Sequence, residues 1–176
     1  MTYALTVTRP TPLLRTSLSD RLAATRAALS RVSKAPALSQ IRAELLAAYA
    51  EQRAVMPLFD LMADSDTPEY RAGLRVERRL REVLAAIIEA PTPTTLDGLG
   101  TLALAMAIDA EGNLNGRRGD CEPEYAHAAR ALVVLTRVDL PTGFTGFGDE
   151  PDHEAREEAL MSDPVSIPGW ARADAA

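Results

Sequence analysis

The sequence predicts an all-α fold: a helical hairpin with additional helices in a small bundle, an extended N-terminal arm and a flexible acidic C-terminal tail. Three observations carry this. The 47% hydrophobic content is mostly Ala, Leu and Val with eight aromatic residues, and the β-branched runs that build strands are missing. Apolar residues recur at spacings of three and four, the period of one helix face. Prolines preceded or followed by Ser, Thr or Asp divide the chain into helix-length pieces. A chain of 176 residues is long enough for one sizeable core.

Residues 1–16 hold Pro10 and Pro12 without helical period and read as an extended basic arm. A helical domain is expected over 17–139. Its first helix carries the stripe Leu18, Leu22, Thr25, Leu29 and Val32, flanked by Arg21 and Arg26, with Ser17 and Asp20 as a capping box. Ala35-Pro36 ends it. The next helix spaces Ile41, Leu45, Tyr49, Gln52, Met56, Phe59 and Met62 helically, and Pro57 predicts a kink or short break. The turn Asp64-Ser65-Asp66-Thr67-Pro68-Glu69 opens a third helix with Tyr70, Leu74, Leu80, Leu84 and Ile87, and so short a connection predicts an antiparallel hairpin.

In Pro91-Thr92-Pro93-Thr94-Thr95-Leu96-Asp97-Gly98-Leu99 two prolines stop that helix. Thr94 or Thr95 offers a capping hydroxyl, and Asp97, three residues after Thr94, completes a capping-box variant. The helix that follows, through Leu96, Leu99, Leu102, Met106 and Ile108, is nearly uncharged and is expected to be buried on most sides. A loop from Asp109 to Glu122 then leads to a helix opened by Pro123 and running through Tyr125, Ala129, Leu132, Leu135 and Val138, before Pro141. Residues 140–176 are acidic, rich in Pro and Gly, and predict a largely irregular tail with at most one short helix near Asp152 to Met161.

Charge is graded along the chain. Residues 1–34 hold six bases against one acid, whereas the last 37 residues hold two against eight, within a net charge of −6. Ends of opposite sign attract within or between molecules, and salt weakens the effect. Lys34 is the only lysine, and the Ala and Arg richness fits a GC-rich bacterial genome. A single cysteine, Cys121, excludes an intrachain disulfide and points to the cytoplasm. No apolar run approaches the roughly 20 residues of a membrane span, and Met1 to Val7 is too short for a signal peptide core.

The Thr92-Pro93-Thr94-Thr95-Leu96-Asp97-Gly98-Leu99 segment, placed between a Tyr- and Leu-bearing hairpin and an Ala/Leu helix, resembles a group of uncharacterised alphaproteobacterial helical proteins. In those a hairpin precedes a Thr-Pro-x-Thr-Thr-Leu-x-Gly-Leu type of segment. The likeness covers about residues 40–138, departs at Gly100-Thr101-Leu102 where a basic residue is expected, and implies no activity.

Three candidate sites follow from residue type and spacing. Asp109 to Asp120 spans twelve residues, with Asp109, Glu111, Asn113 and Asn115 at positions one, three, five and seven and Asp120 at the last, the oxygen-ligand pattern of a calcium loop. Leu114 stands where the sharp turn needs glycine and Arg117-Arg118 bring positive charge, which favours a plain polar loop. Cys121, His127 and His153 lack the count and spacing of a zinc site, and no catalytic or cofactor-binding constellation is legible. Gly143-Phe144-Thr145-Gly146-Phe147-Gly148 follows a helix rather than a strand, so it reads as a flexible segment whose Phe144 and Phe147, with Trp170, are aromatic anchors for the body or a partner.

The function expected is non-enzymatic interaction, with a protein partner or self-assembly through residues 18–33. The alternative is a small-ligand or metal-binding regulatory protein using loop 109–122. Nucleic acid is not expected, because the arginines of the first helix are spread around it and the protein is acidic. Peripheral membrane contact through that helix is disfavoured against a bundle or dimer interface.

Overall fold

The computed structural model describes residues 38–61, 66–114 and 123–172, all within one compact unit, Pro36–Ala176. The expected arm and first helix, with Leu18, Leu22, Leu29, Val32, Arg21 and Arg26, lie outside the described residues. Those described form six helices and no strand: α1 (Leu38–Leu61), α2 (Pro68–Glu89), α3 (Leu96–Leu114), α4 (Pro123–Thr136), α5 (His153–Met161) and α6 (Gly169–Arg172). The all-α small bundle is the fold. No helix among the described residues is long and apolar enough to cross a membrane.

Helices α1 and α2 form the hairpin. Pro57 lies inside α1 without ending it, so no break occurs. The proline supplies no N–H to the Arg53 carbonyl four residues back, and one residue along the Ala54 carbonyl accepts the N–H of Ser166 at 2.9 Å. At the start of α2 the Thr67 hydroxyl accepts the Tyr70 N–H at 3.1 Å, Pro68 opens the helix and Glu69 faces its positive end. The buried stripe of α2 is Ala72, Gly73, Val76, Leu80, Leu84 and Ile87. Leu74, expected in that stripe, is 37% exposed, because the buried face runs through Ala72, Gly73 and Val76 instead. A Cβ on Gly73 would stand 3.1 Å from Leu58 Cδ2 and 3.2 Å from Phe59 Cζ.

Thr95 is the cap of α3, its hydroxyl accepting the Gly98 N–H at 3.1 Å. The capping-box role expected of Asp97 does not hold: its carboxylate turns outward to Arg42 of α1 at 2.9 Å. Helix α3 is buried through Thr101, Ala103, Leu104, Ala105, Ala107, Ile108 and Ala110, as a nearly uncharged helix between α1, α2 and α4 should be. Helix α4 packs on α3 through Ala129 and stops at Thr136, because Arg137 takes a left-handed φ of 54°. Leu135, expected on its buried face, is 65% exposed.

Three apolar clusters hold the unit together. The largest joins Ile41, Leu45, Tyr49, Leu80, Leu84, Leu104 and Ile108 of α1, α2 and α3. A second joins Val55, Phe59, Ala72 and Val76 to Ala171 of α6, and a third joins Ala107, Ala110 and Ala129 to Phe147. Each large side chain so buried stabilises the fold by about 1.5 to 3 kcal/mol. The acidic tail therefore differs from expectation: residues 140–172 are irregular over much of their length yet packed on the helices through Phe144, Thr145, Phe147, α5 and Ala171. Phe144 and Phe147, read from the sequence as anchors for the body or a partner, are what packs the segment on the body.

Candidate functional site

On α1, Tyr49, Arg53, Met56 and Asp60 follow one another at helical spacing and share a face. Across from them stand Ile108 and Glu111 of α3, Glu157 and Met161 of α5, and Thr145 on the segment after α4. Thr145 is delivered by glycines: φ is +85° at Gly143, +134° at Gly146 and +87° at Gly148, the left-handed side that other residues avoid. A Cβ on Gly146 would lie 2.5 Å from Glu150 Oε2, an atom already accepting the Phe147 N–H at 2.8 Å.

Glu111 is the centre of the cluster and is 1% exposed. One carboxylate oxygen accepts the Thr145 N–H at 2.6 Å and the Thr145 hydroxyl at 2.8 Å; the other accepts the Tyr49 hydroxyl at 2.7 Å. Arg53 Nη2 stands 3.8 Å from the first oxygen and 3.2 Å from Glu157 Oε1, so one guanidinium faces two carboxylates. The Thr145 hydroxyl also meets Glu157, and the Gly143 carbonyl lies 3.2 Å from the Tyr49 oxygen. Desolvation, and after it the negative Glu111, push the Tyr49 phenol well above its ordinary value, with the Arg53 charge opposing them. The phenol is thus a fixed donor. Arg53 itself is 6% exposed and its Nε has no hydrogen-bond partner.

Beside this cluster lies a cavity of about 400 Å³ bounded by α1, α2, α3 and α5. Met56, Phe59, Leu80, Leu84, Ile108 and Met161 give it apolar walls. Asp60, Glu77, Asp109, Glu111 and Glu157 reach it against only Arg53 and Arg81, so its lining is acidic. Gly112 borders it, and a Cβ there would meet nothing within 4 Å.

The expected calcium loop does not begin where the spacing placed it, because α3 continues to Leu114 and holds Asp109 and Glu111 in helical backbone. Two residues apart on a helix, these side chains point in different directions, and Glu111 is consumed by Tyr49 and Thr145. Asn113 lies in the last turn, while Asn115 and Asp120 fall outside the described residues, as does Cys121. Among the described residues no three His, Cys, Asp or Glu side chains gather to hold a metal ion. Of the anchors, Phe144 and Phe147 meet edge to face with centroids 5.2 Å apart against the α3–α4 cluster. Trp170 is 41% exposed, lies under Arg79 at 5.2 Å and donates its indole N–H to Glu51 at 3.3 Å. Arg53, Thr145 and Glu157 had no sequence signal of their own; the glycines around Thr145 were the one available clue.

No family model, no curated protein and no solved structure matches the chain.

Proposed function

We propose that the protein binds a small organic molecule in the cavity between α1, α2, α3 and α5, and that it does so without chemistry, as a regulatory or carrier protein of the bacterial cytoplasm. The observation that carries this reading is the cavity itself. Its volume of about 400 Å³ lies within the range of small-molecule sites, and its walls combine apolar side chains with a few ionised ones. The ligand reading thus moves from a loop over 109–122 to a cavity among four helices, which Asp109, Glu111 and Gly112 line from α3.

The test is a thermal-shift screen of small molecules on the protein and on Gly112→Phe. The glycine position borders the cavity and has open space for a side chain, so the variant should fold and obstruct the site. Ligands that stabilise the parent and not the variant support the reading; ligands that stabilise both equally place the site elsewhere.

A second reading, self-association, draws on Leu96, Val134 and Leu135, which are 66%, 72% and 65% exposed where α3 begins and α4 ends. Large exposed apolar side chains of this kind favour a protein partner. Sedimentation of the full chain, and of a chain lacking residues 1–34, tests whether residues 18–33 drive assembly; an unchanged number of copies excludes them.

A further inference from the structure

We propose that two copies of the chain pair through the outer face of α4, antiparallel about a two-fold axis at Ala131. This rests on the self-association reading above and names both the surface and the partner.

Helix α4 packs on α3 and on no other helix among those described. Its inner side joins the Phe147 cluster through Tyr125, Ala129 and Val133. The opposite side is open: His127, Ala128, Ala131, Val134 and Leu135 are all exposed. They stand three and four positions to either side of Ala131, which makes them one continuous stripe. No carboxylate or guanidinium interrupts it, because Arg130 lies at its edge and turns to Asp149 and Glu150. A helix that meets water on one face ordinarily carries charge there. Helix α2 does so, with Arg71, Arg78, Arg81 and Glu82 exposed. Helix α4 does not, and the exposed Leu96 and Leu140 add apolar surface near its C-terminal end.

The stripe is complementary to its own reverse. Turned end for end about Ala131, it sets Val134 of one copy over Ala128 of the other and Leu135 over His127. A branched side chain thus meets a methyl group, and the two Ala131 residues at the axis let the helices approach closely. The same turn brings Glu124, in the first turn of each helix, to Arg137 just beyond the last turn of the other. Both are exposed, and neither has an ion-pair partner among the described residues. Two pairs of opposite charge then flank an apolar centre, and a contact that uses the same patch on both copies closes at two. This match of size and charge selects a second copy over an unrelated partner.

The experiment is sedimentation of the full chain over a concentration series, with Ala131→Glu, Glu124→Arg, Arg137→Glu and the double variant Glu124→Arg with Arg137→Glu. Each position is exposed, so the variants should keep the helical circular dichroism of the parent. The parent should sediment as two copies, and Ala131→Glu, which sets two carboxylates against each other at the axis, as one. Either charge reversal alone should weaken the pair roughly tenfold, and the double variant should return it to within about threefold of the parent. A parent that stays a single copy at every concentration removes the self-association reading and this proposal with it. A parent of two copies that Ala131→Glu leaves intact keeps self-association and overturns the α4 face. A double variant weaker than either single reversal overturns the antiparallel register, and a mass above two copies overturns the closed pair.

Discussion

The segment from Gly143 to Glu150 is fastened to the helices twice, and the two fastenings differ in kind. At Thr145 the hold is dry: a fully buried Glu111 gathers three hydrogen bonds, with Arg53 facing it. A few residues on, at Asp149 and Glu150, the hold is wet. Near the surface Arg130 pairs with Asp149 and, at 3.0 Å, with Glu150, and it covers the buried Phe147 ring at 4.9 Å. The Arg130 hydrogen bond holds the Asp149 carboxyl below its ordinary range, yet Asp149 is open to solvent, which screens the interaction. The surface clasp has the more ion pairs. The buried cluster should nonetheless hold harder, because Glu111 and Thr145 lose their water on burial and the Thr145 N–H has Glu111 as its acceptor there.

The sharpest way to break this contrast is Glu111→Ala. It leaves the Thr145 N–H without its acceptor, the Tyr49 hydroxyl with only the Gly143 carbonyl at 3.2 Å and Arg53 with only Glu157, and should cost about 3 to 5 kcal/mol in urea unfolding. A loss no larger than that of a surface substitution would show that water reaches the cluster. Next in size is Gly146→Ala, which sets a Cβ against Glu150 at a φ of +134° and should cost about 1 to 3 kcal/mol by the same measurement.

The Tyr49 phenol then gives a pH signature. Its ionisation is raised in the folded state, so its contribution to stability is fully present below the unfolded value of 10.0 and is lost as pH rises above it. The loss approaches about 1.4 kcal/mol per pH unit. In an alkaline absorbance titration one of the four tyrosines should ionise only as the chain unfolds; a Tyr49→Phe variant that keeps this late step would refute the assignment. Smallest is Arg130→Ala. It should lower the melting temperature slightly at low salt and not at all at high salt, whereas the Glu111 deficit should persist in both.

What the sequence disclosed follows the same division. Helix starts were legible because their chemistry is local: Thr67, Pro68 and Thr95 act on N–H groups within a turn of themselves. The hairpin and the buried α3 followed from periodicity and from the absence of charge. The Glu111 cluster was not legible, since it joins Tyr49 to Glu111 across 62 positions, Glu111 to Thr145 across 34 and Arg53 to Glu157 across 104. Glu111 was noticed for a spacing that its helix does not use. The glycines of 143–148 were noticed as flexible, whereas their positive φ values fix one rigid path that carries Thr145 inward.

The contact between Ser166 and α1 bears on how the protein is made. Phe59 and Val76 of the hairpin are sealed only when Ile167 and Ala171 arrive, about a hundred positions later, with Arg75 donating to the Ala171 carbonyl at 2.8 Å. Closing so long a loop is slow compared with zipping a hairpin. During synthesis the early helices must therefore wait with one oily flank uncovered, and it is in that interval, rather than in the finished molecule, that a chaperone would find something to hold.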